Sequence, residues 1–296
     1  MMKPFLRSVW MFVAFALLSL TIRAQDVSVA WKPQEITNGS PCIFVVKAHQ
    51  ATAVTGTWRG HAFSFFRQKG DPESWYSLAG IDVSAKPGNY DLTVQVATSS
   101  NTQTLHRTIA VGSAPYKEVP LTVPEKFVRP DPEAQKIIAA DQETKNKVFA
   151  DSAQTRLWTD RFSPPLRSAP RTDSFGTRRT FNGSIASVHR GLDYRAATGT
   201  PVMAVSAGRV ILARPLYYEG NCVIIDHGLG STTIYMHLSK FDVKEGEQVS
   251  RGQRIALSGG TGRATGPHLH LSARWQGEYL DPAKLFLLRL PSPQQP

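Results

Sequence analysis

The chain has 296 residues, 41% apolar and 19% charged, with 22 glycines and 20 prolines. That is room for two modest folded units with a real core, and it excludes a disordered tail. A formal net charge of +11 directs attention to anionic surfaces such as cell-wall polymers, lipid head groups or nucleic acid, without choosing among them. The two cysteines, Cys42 and Cys222, lie far apart inside the apolar stretches PCIFVV and NCVIID. They read as two buried thiols rather than one bridge, and with no CxxC present, cysteine-based zinc sites and thioredoxin chemistry are excluded.

Residues 1–24 have a basic start (Lys3, Arg7), an apolar run from Val9 to Ile22, and Arg23-Ala24. This is the layout of a signal peptide cleaved after Ala24; the run is shorter than the roughly 20 residues that span a bilayer. Lys3, Arg7 and Arg23 carry three of the positive charges, so the exported chain keeps +8 of the +11. Residues 26–113 then alternate apolar and polar positions between turn signals such as TNGS and AKPGN. About seven short strands in that length predict a small antiparallel Ig-like β-sandwich, with His49 and His61 as ordinary strand or surface residues. Residues 114–165 are first proline-rich, and the stretch starting at Asp131 then reads as a helix. Asp131 suits the N-cap, Pro132 the first helical position and Glu133 the positive end. We expect a connecting helix of about four turns lying on a neighbouring unit. From 166 to 290 the chain is β-rich again, with glycine turns between TPVMAVSAGRVILAR, NCVIIDHG, STTIYMHLS, QRIALSGG and HLHLSARW.

Five of the eight histidines fall between 189 and 270. Successive side chains of a strand point to opposite faces, so His268 and His270 share one face while Leu269 and Leu271 fill a core. In STTIYMHLS the same alternation puts Ile234 and Met236 on one face and Tyr235 with His237 on the other. In VHRGLDYR, His189 and Asp193 stand four residues apart, with Gly191 permitting a tight turn. Zinc accepts imidazole and carboxylate ligands at about 2.0–2.2 Å and keeps a fourth position open in catalytic sites. Each element alone is weak: HxH is common on exposed strands, and His189–Asp193 is also the pattern of a salt-bridged turn. Together they sit in one β-rich stretch of about 80 residues, two of them with the parity that aims histidines at a cavity, and a shared site is expected. No HExxH and no GxSxG is present, which excludes the helical zinc-protease arrangement and a serine elbow. GGTGRATG precedes a strand instead of a helix, so it fails as a nucleotide loop. Its glycines instead allow a loop to bend near the site and deliver His268. No aromatic-basic platform for nucleic acid is present.

The stretches HRGLDYRAATGTPVMAVSAGRV, VIIDHGLGSTTIYMHLS and GTGRATGPHLHL resemble the lysostaphin/LytM-type zinc metallopeptidases. The resemblance covers roughly residues 165–287, with HxxxD, YxH and HxH all in order. It implies a β-sheet peptidase unit with an open groove, and one zinc ion held by His189, Asp193 and His270. His237 and His268 match the catalytic pair, one serving as general base and the other stabilising the oxyanion or protonating the leaving amine. Asn182, in the family-like stretch before the site, is expected to line the groove, and His227 of DHG is expected to be structural. The implied activity is endopeptidase cleavage of bacterial peptidoglycan cross-links outside the membrane, in the periplasm or cell envelope. The chain is expected to be a monomer, with peptidoglycan peptides as its partner and no nucleotide. The first alternative is a catalytically silent wall-binding or hydrolase-activator module, against which the intact five-residue set argues. The second is a carrier domain, suggested by VKEGEQVSRGQRIALSGG. It lacks a lysine at the hairpin tip and conflicts with the signal segment.

Overall fold

A computed structural model describes residues 27–68, 70–121, 125, 129–159, 161–181 and 185–291. The expected signal segment 1–24 and Asn182 lie outside the described residues. Among the described residues no helix is long and apolar enough to cross a membrane.

Residues 28–112 form nine strands in two sheets, two more strands than the sequence pattern suggests. Ser28–Lys32, Pro41–Lys47, Asp71–Gly80 and Phe66–Gln68 make a four-stranded sheet in that order. Ile36–Thr37, Thr102–Gly112, Gly88–Ala97, Ala53–Trp58 and His61–Ser64 make a five-stranded one. Ile36–Thr37 is too brief to show a period, and a break at Phe65 divides one expected strand into His61–Ser64 and Phe66–Gln68. Ala53–Trp58 alternates strictly between exposed and buried positions, so one face of each sheet closes on the other. Phe44, Trp58, Leu92 and Val94 are fully buried between them, and the Phe44 and Trp58 rings meet edge-on at 5.5 Å. The Trp58 indole N–H donates to the Gly80 carbonyl at 2.8 Å, which satisfies the one polar atom that burial would otherwise strand. Cys42 and Cys222 are both buried and unpaired.

The segment after the sandwich does more than connect. Glu118–Leu121 pairs in parallel with Arg178–Phe181, which pairs antiparallel with Ile185–Val188. Proline spacing gave no hint of this strand. The helix spans Pro132–Ala150, with Asp131 accepting from the Ala134 N–H at 2.8 Å as its N-cap. Its 19 residues make about five turns, one more than expected. Val148 and Phe149 pack on Ile211, Leu212 and Leu216, and Lys145 pairs with Glu219 at 2.5 Å.

The C-terminal part is a ten-stranded sheet. Along its main path run Arg171–Asp173, Leu192–Arg195, His268–Trp275, Ser231–Phe241, Gly220–Gly228, Gly208–Leu216 and Gln248–Val249. Pairing register sets the site. Asp173 faces Asp193, Asp193 faces His270, and His270 faces Met236, so one row of side chains crosses four strands. On the opposite face, Leu269, Leu271 and Tyr235 are fully buried.

Candidate metal centre

Three elements bring the cluster together. His189 follows the strand Ile185–Val188, Asp193 lies in Leu192–Arg195, and His270 lies in His268–Trp275. His189 Nε2 is 3.1 Å from Asp193 Oδ1 and 3.0 Å from His270 Nδ1, and the last two atoms are 2.8 Å apart. All three residues are buried, and they form a group that could hold a metal ion. Gly191 serves this convergence through close approach and not through a special turn. A Cβ there would meet His270 Nε2 at 2.4 Å and the Leu271 carbonyl at 2.5 Å.

The hydrogen bonds around the cluster fit a cation at its centre. His189 Nδ1 lies 2.9 Å from the Ser174 carbonyl, which can only accept, so in the neutral ring Nε2 presents a lone pair. That lone pair faces a carboxylate oxygen and a second imidazole nitrogen. Acceptors meet acceptors here unless a positive charge, a proton or a metal ion, is shared among them. The separations approach the ~3.3 Å between ligand atoms that each stand about 2.0 Å from one tetrahedral ion. His270 Nε2 is held by the Ser272 hydroxyl at 2.8 Å, which turns Nδ1 inward. Burial alone would push the Asp193 carboxyl up. Hydrogen bonds with His189 and His270 outweigh it and hold the group well below the ordinary carboxylate range. Burial pushes the His270 imidazole down, against the upward pull of Asp193.

His237 and His268 stand beside the cluster, their rings 4.7 Å apart, with His237 6.1 Å from His270. His237 does not arrive by the alternation expected for STTIYMHLS. Tyr235 is opposite Leu271 on the core face, and Met236 is opposite His270, so strict alternation would bury His237 away from the site. The strand bulges there instead. Val223 pairs with Tyr235 and Asn221 with Leu238, so two steps on one strand face three on the other. His237 takes φ of 61°, a left-handed conformation uncommon for a non-glycine residue, and the bulge re-aims its side chain. Its backbone N–H donates to the Glu219 carbonyl, and its Nδ1 donates to the Thr261 carbonyl, each at 2.8 Å. Burial, then the neighbouring His270 and His268, push its pKa down to about 3. His268 Nδ1 is 2.8 Å from the Gly266 carbonyl, and its Nε2 is 3.9 Å from Asp193 Oδ1. The glycine loop does bend close, as expected: the Thr261 hydroxyl accepts from the Asn221 N–H and donates to the Leu238 carbonyl, both at 2.9 Å.

Two residues outside the sequence reading, Asp173 and Arg179, contact the cluster. Arg179 Nη2 donates to Asp193 Oδ2 at 2.7 Å and also pairs with Asp173 Oδ2. No spacing rule relates these positions, so no sequence signal singled them out. His227 is fully buried away from the cluster, between the Ala207 carbonyl and the Thr233 hydroxyl. A cavity of about 920 Å³ opens from His189, His237 and His270 toward Arg178, Lys86 and Tyr116, so the sandwich supplies part of its wall. A second, of about 360 Å³, opens on the His268 side.

Two imidazoles and a carboxylate converge on an antiparallel sheet as a group that could hold a metal ion, flanked by two further histidines and open to a groove. Residues 187–282 match the model of Peptidase family M23. The chain is 55% identical over 82 residues to the peptidoglycan DD-endopeptidase ShyA of Vibrio cholerae, covering 28% of this chain and 19% of that protein. It is 42% identical over 107 residues to the DD-carboxypeptidase/endopeptidase Mpg of Neisseria meningitidis, covering 36% of this chain and 24% of that one. The chain thus spans about a fifth to a quarter of the length of these curated relatives. A crystal structure from Pseudomonas aeruginosa provisionally assigned to peptidase M23 is 26% identical. The match covers 85% of this chain and 95% of that one, with a TM-score of 0.65. Sandwich and C-terminal sheet therefore recur together in one fold.

Proposed function

We propose that the protein is an exported, zinc-dependent endopeptidase that hydrolyses the peptide cross-links of bacterial peptidoglycan. The observation that carries this reading is the convergence of His189, Asp193 and His270 on one point, with His237 and His268 beside it. His189 would hold zinc through Nε2, Asp193 through Oδ1 and His270 through Nδ1. Zinc bound there supplies Lewis-acid polarisation of a peptide carbonyl and lowers the pKa of water toward about 7.

The chain's own residues handle orientation and protons. His237 gives its Nδ1 proton to the Thr261 carbonyl, so Nε2 is free to accept a proton. Burial favours the neutral ring, and Nε2 is placed to take a proton from the attacking water and pass it to the leaving amine. His268 is more open to solvent and faces the same point, where its ring is placed to stabilise the developing oxyanion. Lys86, Arg178 and Arg190 line the groove and suit the free carboxylates of stem peptides. Together with relatives named DD-endopeptidases, this favours direct D-alanyl cross-links over glycine bridges.

The same reading divides the chain into a leader (1–24), an Ig-like sandwich (26–113), a connector (114–165) and a peptidase unit (166–290). It places the monomer in the periplasm or cell envelope. The test is release of muropeptides from purified, directly cross-linked sacculi, alongside zinc content. His189→Ala and Asp193→Ala should each lose the zinc and reduce release by at least ~10³-fold, and phenanthroline should abolish release by the wild type. Zinc binding without any release would instead identify a silent wall-binding module.

A further inference from the structure

Asp173 and Asp193 occupy directly opposed positions on neighbouring antiparallel strands. Like charges placed this way repel, and a single guanidinium stands between the two carboxyls. The Arg179 guanidinium is the group that resolves the repulsion. Its Nε donates to Asp173 Oδ2 at 3.0 Å, and its Nη2 donates to Asp193 Oδ2 at 2.7 Å. The side chain is only 17% exposed, so these bonds are sheltered from solvent.

This pair reaches two of the three clustered residues. Because Arg179 occupies Oδ2 of Asp193, Oδ1 is the oxygen that turns toward His189 and His270. Asp173 Oδ1 accepts from the Ser174 N–H at 2.7 Å and the Thr177 hydroxyl at 2.8 Å. That fixes the turn whose Ser174 carbonyl takes the His189 Nδ1 proton. Asp173 Oδ2 itself lies 3.5 Å from His189 Nδ1.

We infer that Asp173 and Arg179 are positioning residues for the metal centre. Arg179 fixes Asp193 as a one-oxygen ligand, and Asp173 fixes both Arg179 and the ring orientation of His189. The inference rests on the reading of His189, Asp193 and His270 as ligands. Outer partners of this kind contribute about 10–100-fold to metal affinity. A lysine is a poor substitute, because a single ammonium lacks the planar fork that spans two carboxylates.

The experiment measures Zn²⁺ affinity of the full chain by competition with a chromogenic chelator, with the urea midpoint of the metal-free protein measured in parallel. Arg179→Ala and Asp173→Asn should each weaken Zn²⁺ binding about 10–100-fold, and Arg179→Lys should recover only part of the loss. A purely structural role predicts a lower midpoint of the metal-free protein with unchanged affinity, and that result overturns the inference. If Arg179→Ala does not fold, Asp173→Asn decides alone, and wild-type affinity in it also overturns the inference. Wild-type Zn²⁺ binding in His189→Ala would instead show that the ligand reading itself is wrong.

Discussion

At the scale of single residues, the same side-chain type does opposite work depending on what its two nitrogens meet. His237 and His268 each spend Nδ1 on a carbonyl and keep Nε2 for the groove. His227 spends both. Its Nδ1 donates to the Ala207 carbonyl, so its Nε2 accepts from the Thr233 hydroxyl, each at 2.8 Å. No nitrogen is left for chemistry, which agrees with the structural role expected of it. Burial pushes its pKa down to about 4, against upward pulls from Ala207 and Asp226. The unfolded chain protonates this ring near pH 6.5, so between pH 6.5 and 4 the unfolded state binds more protons. Stability from His227 is therefore intact above about pH 6.5, falls as the pH drops, and levels off below about pH 4. The loss amounts to about 2 kcal/mol at pH 5. His227→Gln should remove that part of the slope. Urea midpoints at pH 7.5 and pH 5.0 for both proteins isolate it, since every other group titrates alike in the two; parallel slopes would contradict the assignment.

At the scale of elements, the turn before His189 is held from outside its own strand. Gly176 has φ of 81° and donates to the His189 carbonyl at 2.8 Å. A Cβ on it would sit 2.0 Å from the Tyr116 ring. Tyr116 precedes the strand Glu118–Leu121, and its hydroxyl donates to the Asn38 carbonyl of the sandwich. Gly176→Ala should therefore cost about 2–4 kcal/mol through the left-handed backbone and the overlap, and it should weaken metal binding too. Adding Tyr116→Ala removes the overlap, so the double variant should be more stable than the sum of single losses predicts, by about 1 kcal/mol or more. Urea midpoints across the four proteins measure this coupling, and strict additivity would mean that the ring does not hold the turn.

The same elements mark how far the sequence could be read. Strands with a regular period were legible, as were the HxH pair, the HxxxD spacing and the Asp131–Pro132 helix start, because each is a local pattern. The strand Glu118–Leu121 was not, since its partner lies some 60 positions away and its own pattern is broken by Pro120. His237 does not reach the site by strand parity. Alternation would have turned it into the core with Tyr235, and only the bulge returns it. Asp173 and Arg179 escaped notice because their relation to Asp193 exists only across paired strands.

At the scale of the molecule, sandwich and C-terminal sheet share a core. Trp275 and Leu280 belong to the sandwich's buried cluster, and the Trp275 ring meets Phe63 at 5.7 Å. Gly80 leaves room for Leu280, whose side chain a Cβ there would meet at 2.3 Å. Polar bonds close the seam. Glu278 accepts from Arg59 Nε at 3.0 Å and from the Asp82 N–H at 2.6 Å, and lies 3.2 Å from His61 Nε2. His61, expected to be an ordinary strand residue, is thus a seam residue. Because the larger cavity draws its wall from both sides of this seam, the groove keeps its shape only while the two parts unfold as one. The protein should then show a single urea transition, with tryptophan fluorescence and far-ultraviolet circular dichroism superimposing. Glu278→Ala leaves the half-buried Arg59 without its partner. A fully buried pair broken this way costs about 3–5 kcal/mol, and partial exposure of Arg59 reduces that to about 2–3 kcal/mol. With the seam weakened, the sandwich should melt first and the two probes should separate. Two distinct transitions already in the wild type would show instead that the shared cluster is too weak to couple them, and that the groove wall contributed by the sandwich is free to move.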